Sequence, residues 1–195
     1  MENQLEIADT TIREISEHLE VINTLKGLVP KIELIAKRII KSLERGGKLL
    51  ICGNWGSAAD AQHLSSELVG RYQKERKSLC AISLSTDPSI VTAISNDYGF
   101  NKVFSRQIEG LGTSEDILLV ISTSGQSQNL INAIKSANKQ EMETLGLLGN
   151  EGGVIKNMLN LSIVINSKNT ARIQECHGLI IHLICKIVDI NMANS

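Results

Sequence analysis

The sequence lacks a charge excess, an aromatic surface and a paired-cysteine motif, and each absence closes a class of function. Formal net charge is -1 over 195 residues, so no global field draws the chain to nucleic acid or to an anionic membrane. Aromatic residues make up 3% of the chain, too few for the stacking platforms that bind single-stranded nucleic acid. The four cysteines, Cys52, Cys80, Cys176 and Cys185, lie far apart with no C-x-x-C pair. Cys52 and Cys80 fall in apolar, strand-like runs and read as reduced core residues. No apolar run is long enough to span a bilayer. The opening Met1-Glu2-Asn3-Gln4 carries neither the basic nor the apolar segment of a secretory signal. These absences predict a soluble, cytoplasmic protein. Its length suits a single domain over 1–195 with a sizeable core, undivided by repeats, low-complexity tracts or long linkers.

The G-x-x-x-x-G-K-[ST] nucleotide loop is also missing, which argues against a P-loop ATPase. In its place stands Ser122-Thr123-Ser124-Gly125-Gln126-Ser127. This stretch follows the apolar run Ile117-Leu118-Leu119-Val120-Ile121 and precedes a helical pattern from Gln128. A hydroxyl-rich loop between a buried strand and a helix start is suited to hold a phosphate through backbone N–H groups and hydroxyls. With no Lys or Arg in the loop, binding would run through dipoles and hydroxyls alone. The competing reading is a polar turn that only caps a helix.

Leu5, Ile12, Ile15, Leu19, Ile22 and Leu25 recur at three- and four-residue spacing and predict an amphipathic helix. A second follows Pro30, with Ile32, Ile35, Ile39 and Leu43 on one face and Gly46-Gly47 as its stop. Strands are expected at 48–52, 80–84, 117–121, 144–148 and 161–165. Helices are expected at 58–70, 90–95, 103–111, 128–138 and 172–191. This alternation predicts an α/β sandwich around a five-stranded parallel sheet, with right-handed crossovers. Ligands in such folds sit outside the carboxyl ends of the strands, near the switch in strand order. Both the serine loop and Gly53-Asn54-Trp55-Gly56-Ser57 follow strands, so both fall at that edge. The N-terminal helical pair, 1–45, is not needed to cover the sheet. It reads equally as a subunit contact or as packing on the same domain.

His63 and Glu67 lie four residues apart on one helix face, where a metal site or a general acid–base pair could form. Arg71, one turn on, reads as a partner of Glu67, a substrate-anion ligand or half of a surface ion pair. The last helix brings Gln174, Glu175, His177 and His182. His182 sits among Ile180, Ile181, Leu183 and Ile184, where an unpaired imidazole is costly and a bond to a carbonyl is the plain expectation. Gln174 and His182 are roughly 12 Å apart along a helix axis, a strain that a neighbouring subunit would relieve. Asn96-Asp97, before Tyr98-Gly99, is first a turn signal. Its functional reading is a carboxylate near the strand ends.

Together these segments resemble the phosphoheptose isomerases, a branch of the sugar isomerase (SIS) domain proteins. The resemblance is carried by Cys-Gly-Asn-x-Gly-Ser (52–57), Ala-Asp-Ala-Gln-His (59–63) with Glu67, and Gly70-Arg71-Tyr72. It continues through Ser95-Asn96-Asp97-Tyr98-Gly99, Ser122-Thr123-Ser124-Gly125-x-Ser127, and Arg172-Ile173-Gln174-Glu175 with His182. It implies a flavodoxin-like sandwich, a homotetramer with active sites between subunits, and conversion of D-sedoheptulose 7-phosphate to D-glycero-D-manno-heptose 7-phosphate, the first step toward activated heptoses of lipopolysaccharide core, capsule or related glycans. By position, Ser122, Thr123, Ser124 and Ser127 would hold the phosphate. Asn54, Trp55, Gly56, Ser57, Asn96 and Asp97 would line the substrate pocket together with Glu67 and Gln174. His63, Glu67, Gln174 and His182 would match the family's zinc ligands, with Glu67 and His182 also the acid–base pair. The family usually has Gly-Asn-Gly-Gly-Ser, and this chain has Trp55 at the first of the paired glycines. An indole there would block the pocket, turn outward or stack on a different ketose phosphate. Two other readings are a non-catalytic module that binds a protein partner such as the replication initiator, and a sugar-phosphate sensor. Retention of Glu67 and His182 favours the enzyme over the first, and the second usually needs an added DNA-binding domain.

Overall fold

Five aliphatic runs pair into one all-parallel sheet: β1 Leu49–Gly53, β2 Ala81–Ser83, β3 Ile117–Ser122, β4 Glu143–Gly149 and β5 Leu161–Ile165, in the order β2-β1-β3-β4-β5. The computed structural model describes the backbone of residues 2–193 and the side chains of 6–193. The Leu5 side chain, expected on the first helical stripe, lies outside the described side chains. Seven α-helices are described: α1 Glu2–Asn23, α2 Val29–Glu44, α3 Gly56–Val69, α4 Pro88–Tyr98, α5 Val103–Leu111, α6 Gln128–Lys139 and α7 Thr170–Met192. The five strands and the helices after them match the α/β expectation, with boundaries shifted by a few residues.

Side chains of a strand alternate between faces, and here the alternation sorts one aliphatic run into two cores. Leu49, Ile51, Ile117, Leu119, Ile121, Leu145 and Leu147 face α2, α3 and α7. Leu50, Cys52, Leu118, Val120 and Leu148 face α5 and α6. Strands buried on both sides explain why the sequence shows continuous apolar runs at these positions.

Three expectations are corrected. The helix α2 does cover the sheet: Ile32, Ile35, Ala36, Ile39 and Ile40 are buried in the first core. Of the pair, α1 stands off over most of its length, leaving Ile7, Ile12, Ile15 and Leu19 exposed, while Val21 and Ile22 near its end pack on that core. It is held to α7 by polar groups: Arg172 donates to the Glu14 carbonyl at 2.8 Å and pairs with Glu175, and His18 meets Glu175 at 2.7 Å. Second, Cys80 is exposed just ahead of β2, while Cys52, Cys176 and Cys185 are buried, and all four are free thiols. Third, Asn96-Asp97 forms no turn. It lies in the last turn of α4, which starts at Pro88 under an Asp87 side-chain cap on Ile90 N–H and ends at Gly99 with φ 82°. The turn signal was displaced by two residues onto that glycine. Among the described residues no helix is long and apolar enough to cross a membrane.

Candidate active site

Strand order reverses between β1 and β3, and the loops leaving those two strands enclose a cavity of about 590 Å³. Its lining includes Asn54, Trp55, Gly56 and Ser57 from the first loop and Ser122, Thr123, Ser124 and Ser127 from the second. This is where an open parallel sheet holds ligands. The serine loop is rigid by construction. Ser122 is buried and its Oγ accepts the Gly125 N–H at 3.0 Å. Gly125, at φ 63°, packs backbone to backbone on Gly152 and Gly153, where any Cβ would collide. Ser127 is the N-cap residue of α6, yet its side chain makes no cap bond. Its hydroxyl and the first N–H groups of α6 are thus left for an anion, and the helix dipole favours one there.

The two loops are stitched by a reciprocal amide pair. Asn54 donates to Asn129 at 3.0 Å, and Asn129 donates back at 2.9 Å. Asn129, Asn101, Phe100 and Thr170 also line the cavity and were not singled out from the sequence. Asn129 was findable, being a buried amide two residues past the N-cap serine. Phe100 and Asn101 arrive through the α4–α5 corner, which no local pattern announces. Gln174 reaches the cavity from α7, and its amide fills the space that a side chain at Gly56 would need.

Trp55 stands in a left-handed backbone conformation. Its φ is 55° and ψ -122°, a region that bulky L-residues rarely occupy. The indole is 94% exposed, so within the chain it turns outward and does not plug the cavity.

A second cluster forms where α3 meets α7. One ligand atom each from His63, Glu67 and His182 lies within 4.8 Å of the others. His63 Nε2 stands 3.3 Å from Glu67 Oε1, while Glu67 Oε2 is buried with no hydrogen-bond partner. His182 packs edge-on to His63, ring centroids 4.8 Å apart, and is stacked by Tyr72 at 5.7 Å. The core histidine bonded to a carbonyl does exist, but it is His177, with Nε2 3.2 Å from the Leu148 carbonyl oxygen. Burial depresses its pKa to about 4, the carbonyl bond opposing. One turn before His63, the Asp60 carboxyl has Oδ2 buried without a partner, and burial raises its pKa to about 6 against the pull of His63. Arg71 pairs with Glu75 at 3.6 Å on the surface, which favours the surface ion-pair reading.

Within one chain the expected residues therefore divide. Asn54, Trp55, Gly56, Ser57, the four hydroxyl residues and Gln174 gather at the cavity. His63, Glu67 and His182 gather at the helical cluster. Of the four expected zinc ligands, three are together and Gln174 is two helical turns away from His182. Asn96 and Asp97 join neither group: Asn96 donates to Asp97 at 2.8 Å on the surface, and Asp97 borders a separate groove with Tyr98 and Arg106.

Comparison with known proteins agrees with this architecture. The SIS domain family model matches residues 12–149. Phosphoheptose isomerase 1 of Campylobacter jejuni is 49% identical over 177 residues, covering 91% of this chain and 95% of that protein. The solved phosphoheptose isomerase of Francisella tularensis superposes with a TM-score of 0.91 at 40% identity, over 94% of this chain and 98% of the other. That of Neisseria gonorrhoeae gives 0.88 at 38%, over 94% and 99%.

Proposed function

The chain belongs to the phosphoheptose isomerases of the SIS domain family, and from that premise we propose that it interconverts D-sedoheptulose 7-phosphate and D-glycero-D-manno-heptose 7-phosphate to supply heptose biosynthesis. The observation that carries the reading is the coexistence of an uncharged, hydroxyl-lined anion cradle with a carboxylate whose buried Oε2 has no partner. The phosphate binds Ser124, Ser127 and the α6 N-terminus. That remote binding energy positions the reacting carbons. Glu67 takes a proton from C1 of the open-chain ketose and returns it to C2 of the enediol. His182 carries the hydroxyl proton between the two oxygens, and protonates the ring oxygen during opening.

The residues present fit a zinc ion. Two imidazoles and a carboxylate form a zinc-type donor set. Ligands of one tetrahedral zinc stand about 3.4 Å apart for ~2.1 Å bonds, and the cluster needs only modest contraction from 4.8 Å. The orphaned Glu67 Oε2 is an acceptor that a cation would satisfy. His63, Glu67 and His182 would hold the ion, with Gln174 supplied by another copy. When bound, it polarises the carbonyl oxygen as a Lewis acid.

Cradle and cluster must therefore meet across subunits. Two apolar faces are uncovered: the α1 stripe of Ile7, Ile12, Ile15 and Leu19, and the α4 face with Ile90 and Tyr98, a helix with no buried residue. Two different self-complementary faces on one chain generate a D2 homotetramer. The 1–45 region contributes through α1, while α2 belongs to the core. Incubation of the purified protein with sedoheptulose 7-phosphate, followed by NMR, is expected to show the aldoheptose 7-phosphate. Absence of product with zinc supplied would refute the reading. Light scattering is expected to give four chains, and a fully active monomer would refute the shared site.

A further inference from the structure

We propose that the buried Arg76–Asp189 pair is a positioning clamp that holds the Glu67 carboxylate and the Tyr72–His182 stack in register. The proposal rests on the isomerase reading above. Both side chains are 1% exposed, and neither has a part in the chemistry already described. A buried ion pair is by itself weak evidence for stability. What marks this one is where its bonds go.

Asp189 lies on α7, seven residues past His182, so the two share a helix face. Its Oδ2 accepts the backbone N–H of Gln73 at 2.7 Å and of Lys74 at 2.9 Å, and its Oδ1 accepts Arg76 Nε at 3.0 Å. The segment after α3 is thereby tied to α7. That segment carries Tyr72, the residue stacked on His182. Arg76 then reaches back to α3. Its Nη2 donates to the Glu67 carbonyl at 2.7 Å, and its Nη1 to the Leu68 carbonyl at 2.8 Å and the Lys77 carbonyl at 3.1 Å. The carbonyls at the end of a helix have no intrahelical partner, and a cation there is doubly favoured. One guanidinium thus fixes the last turn of α3 at the residue whose side chain is the proposed base. One carboxylate fixes the loop that orients the proposed acid. The pair joins three separately folded segments at the points where they supply the site. The planar fork is required, because a single ammonium cannot serve Asp189 and both α3 carbonyls in this arrangement.

The test uses full-length Arg76→Lys, which keeps a positive charge beside Asp189. Measured are kcat and KM for sedoheptulose 7-phosphate, and the Zn²⁺ dissociation constant of metal-stripped protein. The temperature is one at which circular dichroism shows both proteins folded. Groups that orient ligating residues typically matter about 10- to 100-fold, so kcat is expected to fall by at least about tenfold and Zn²⁺ binding to weaken similarly. KM should stay within about twofold, because the cradle is untouched. A folded variant with kcat and Zn²⁺ affinity both at wild-type values would overturn the clamp. If Arg76→Lys does not fold, Tyr72→Leu leaves the ion pair whole. It should still lower kcat without raising KM, and an unchanged kcat there overturns the proposal equally. Wild-type protein that fails to turn over the ketose would refute the isomerase reading instead. The Zn²⁺ ratio of variant to wild type would still decide the clamp.

Discussion

The cradle and the helical cluster are built by opposite means. The cradle is a product of local topology: two strand-to-helix loops at a reversal of strand order, locked by glycine contacts and an amide pair, all within one chain. The cluster is a product of helix packing, with side chains from α3 and α7 and a tyrosine from the intervening segment. It leaves a carboxylate oxygen unpartnered. The contrast teaches that binding and chemistry here are separable properties, the first resting on loop topology and the second on helix packing.

Glu67→Gln should separate them most sharply. Loss of the proton-transferring carboxylate is expected to lower kcat by about 10³-fold, while inorganic phosphate still competes for the cradle with unchanged affinity. A loss of phosphate affinity on the same scale would erase the distinction. Ser127→Ala attacks the other side. It should raise KM about tenfold, the worth of one hydrogen bond to a charged group, with kcat little changed. Steady-state kinetics of the two variants side by side would show whether the effects fall in different constants.

Smaller effects sharpen the packing side of the comparison. His177 is neutral in the folded protein, its pKa lowered from 6.5 to about 4 by burial. Between those values the unfolded chain binds the proton and the folded one does not. Stability is therefore fully present above pH 6.5 and is lost as pH falls toward 4. The loss reaches about 3 kcal/mol at about 1.4 kcal/mol per unit. Denaturant titrations of His177→Gln at pH 4.5 and 7.5 should show a shallower pH dependence than wild type, and an identical slope would dismiss the assignment. The smallest change is expected at Trp55. Trp55→Gly removes a strained backbone and should stabilise the protein by about 1 kcal/mol. Any rise in kcat/KM would mean that the indole obstructs the assembled site, although it turns outward in the single chain.

The sequence was informative where periodicity or loop chemistry is local. The five strands, the serine loop at the end of β3 and the His63–Glu67 face of α3 were all legible, because each is encoded within a dozen residues. What escaped was set by tertiary choice. The stripes of α1 and α2 look alike in sequence, yet that of α2 is core, while that of α1 is exposed from Ile7 to Leu19 and meets the core only near Ile22. His177 and His182 sit five residues apart in the same apolar run, and only packing decides which meets a carbonyl and which meets Tyr72. Asn96-Asp97 reads as a turn because the glycine that ends α4 lies just beyond. The division of Gln174 from the other zinc-type ligands was visible as an eight-residue spacing, and a neighbouring chain is the resolution proposed above.

Subunit complementation addresses that division directly. Glu67→Gln lacks the base, and Ser127→Asp places a negative charge in the cradle, so each alone should be inactive. Unfolded together at equal amounts and refolded, they would form shared sites of which about a quarter carry an intact cradle from one chain and an intact carboxylate from another. Recovery of about a quarter of wild-type turnover is the predicted result. Mixed assemblies that stay as inactive as either parent would contradict the account.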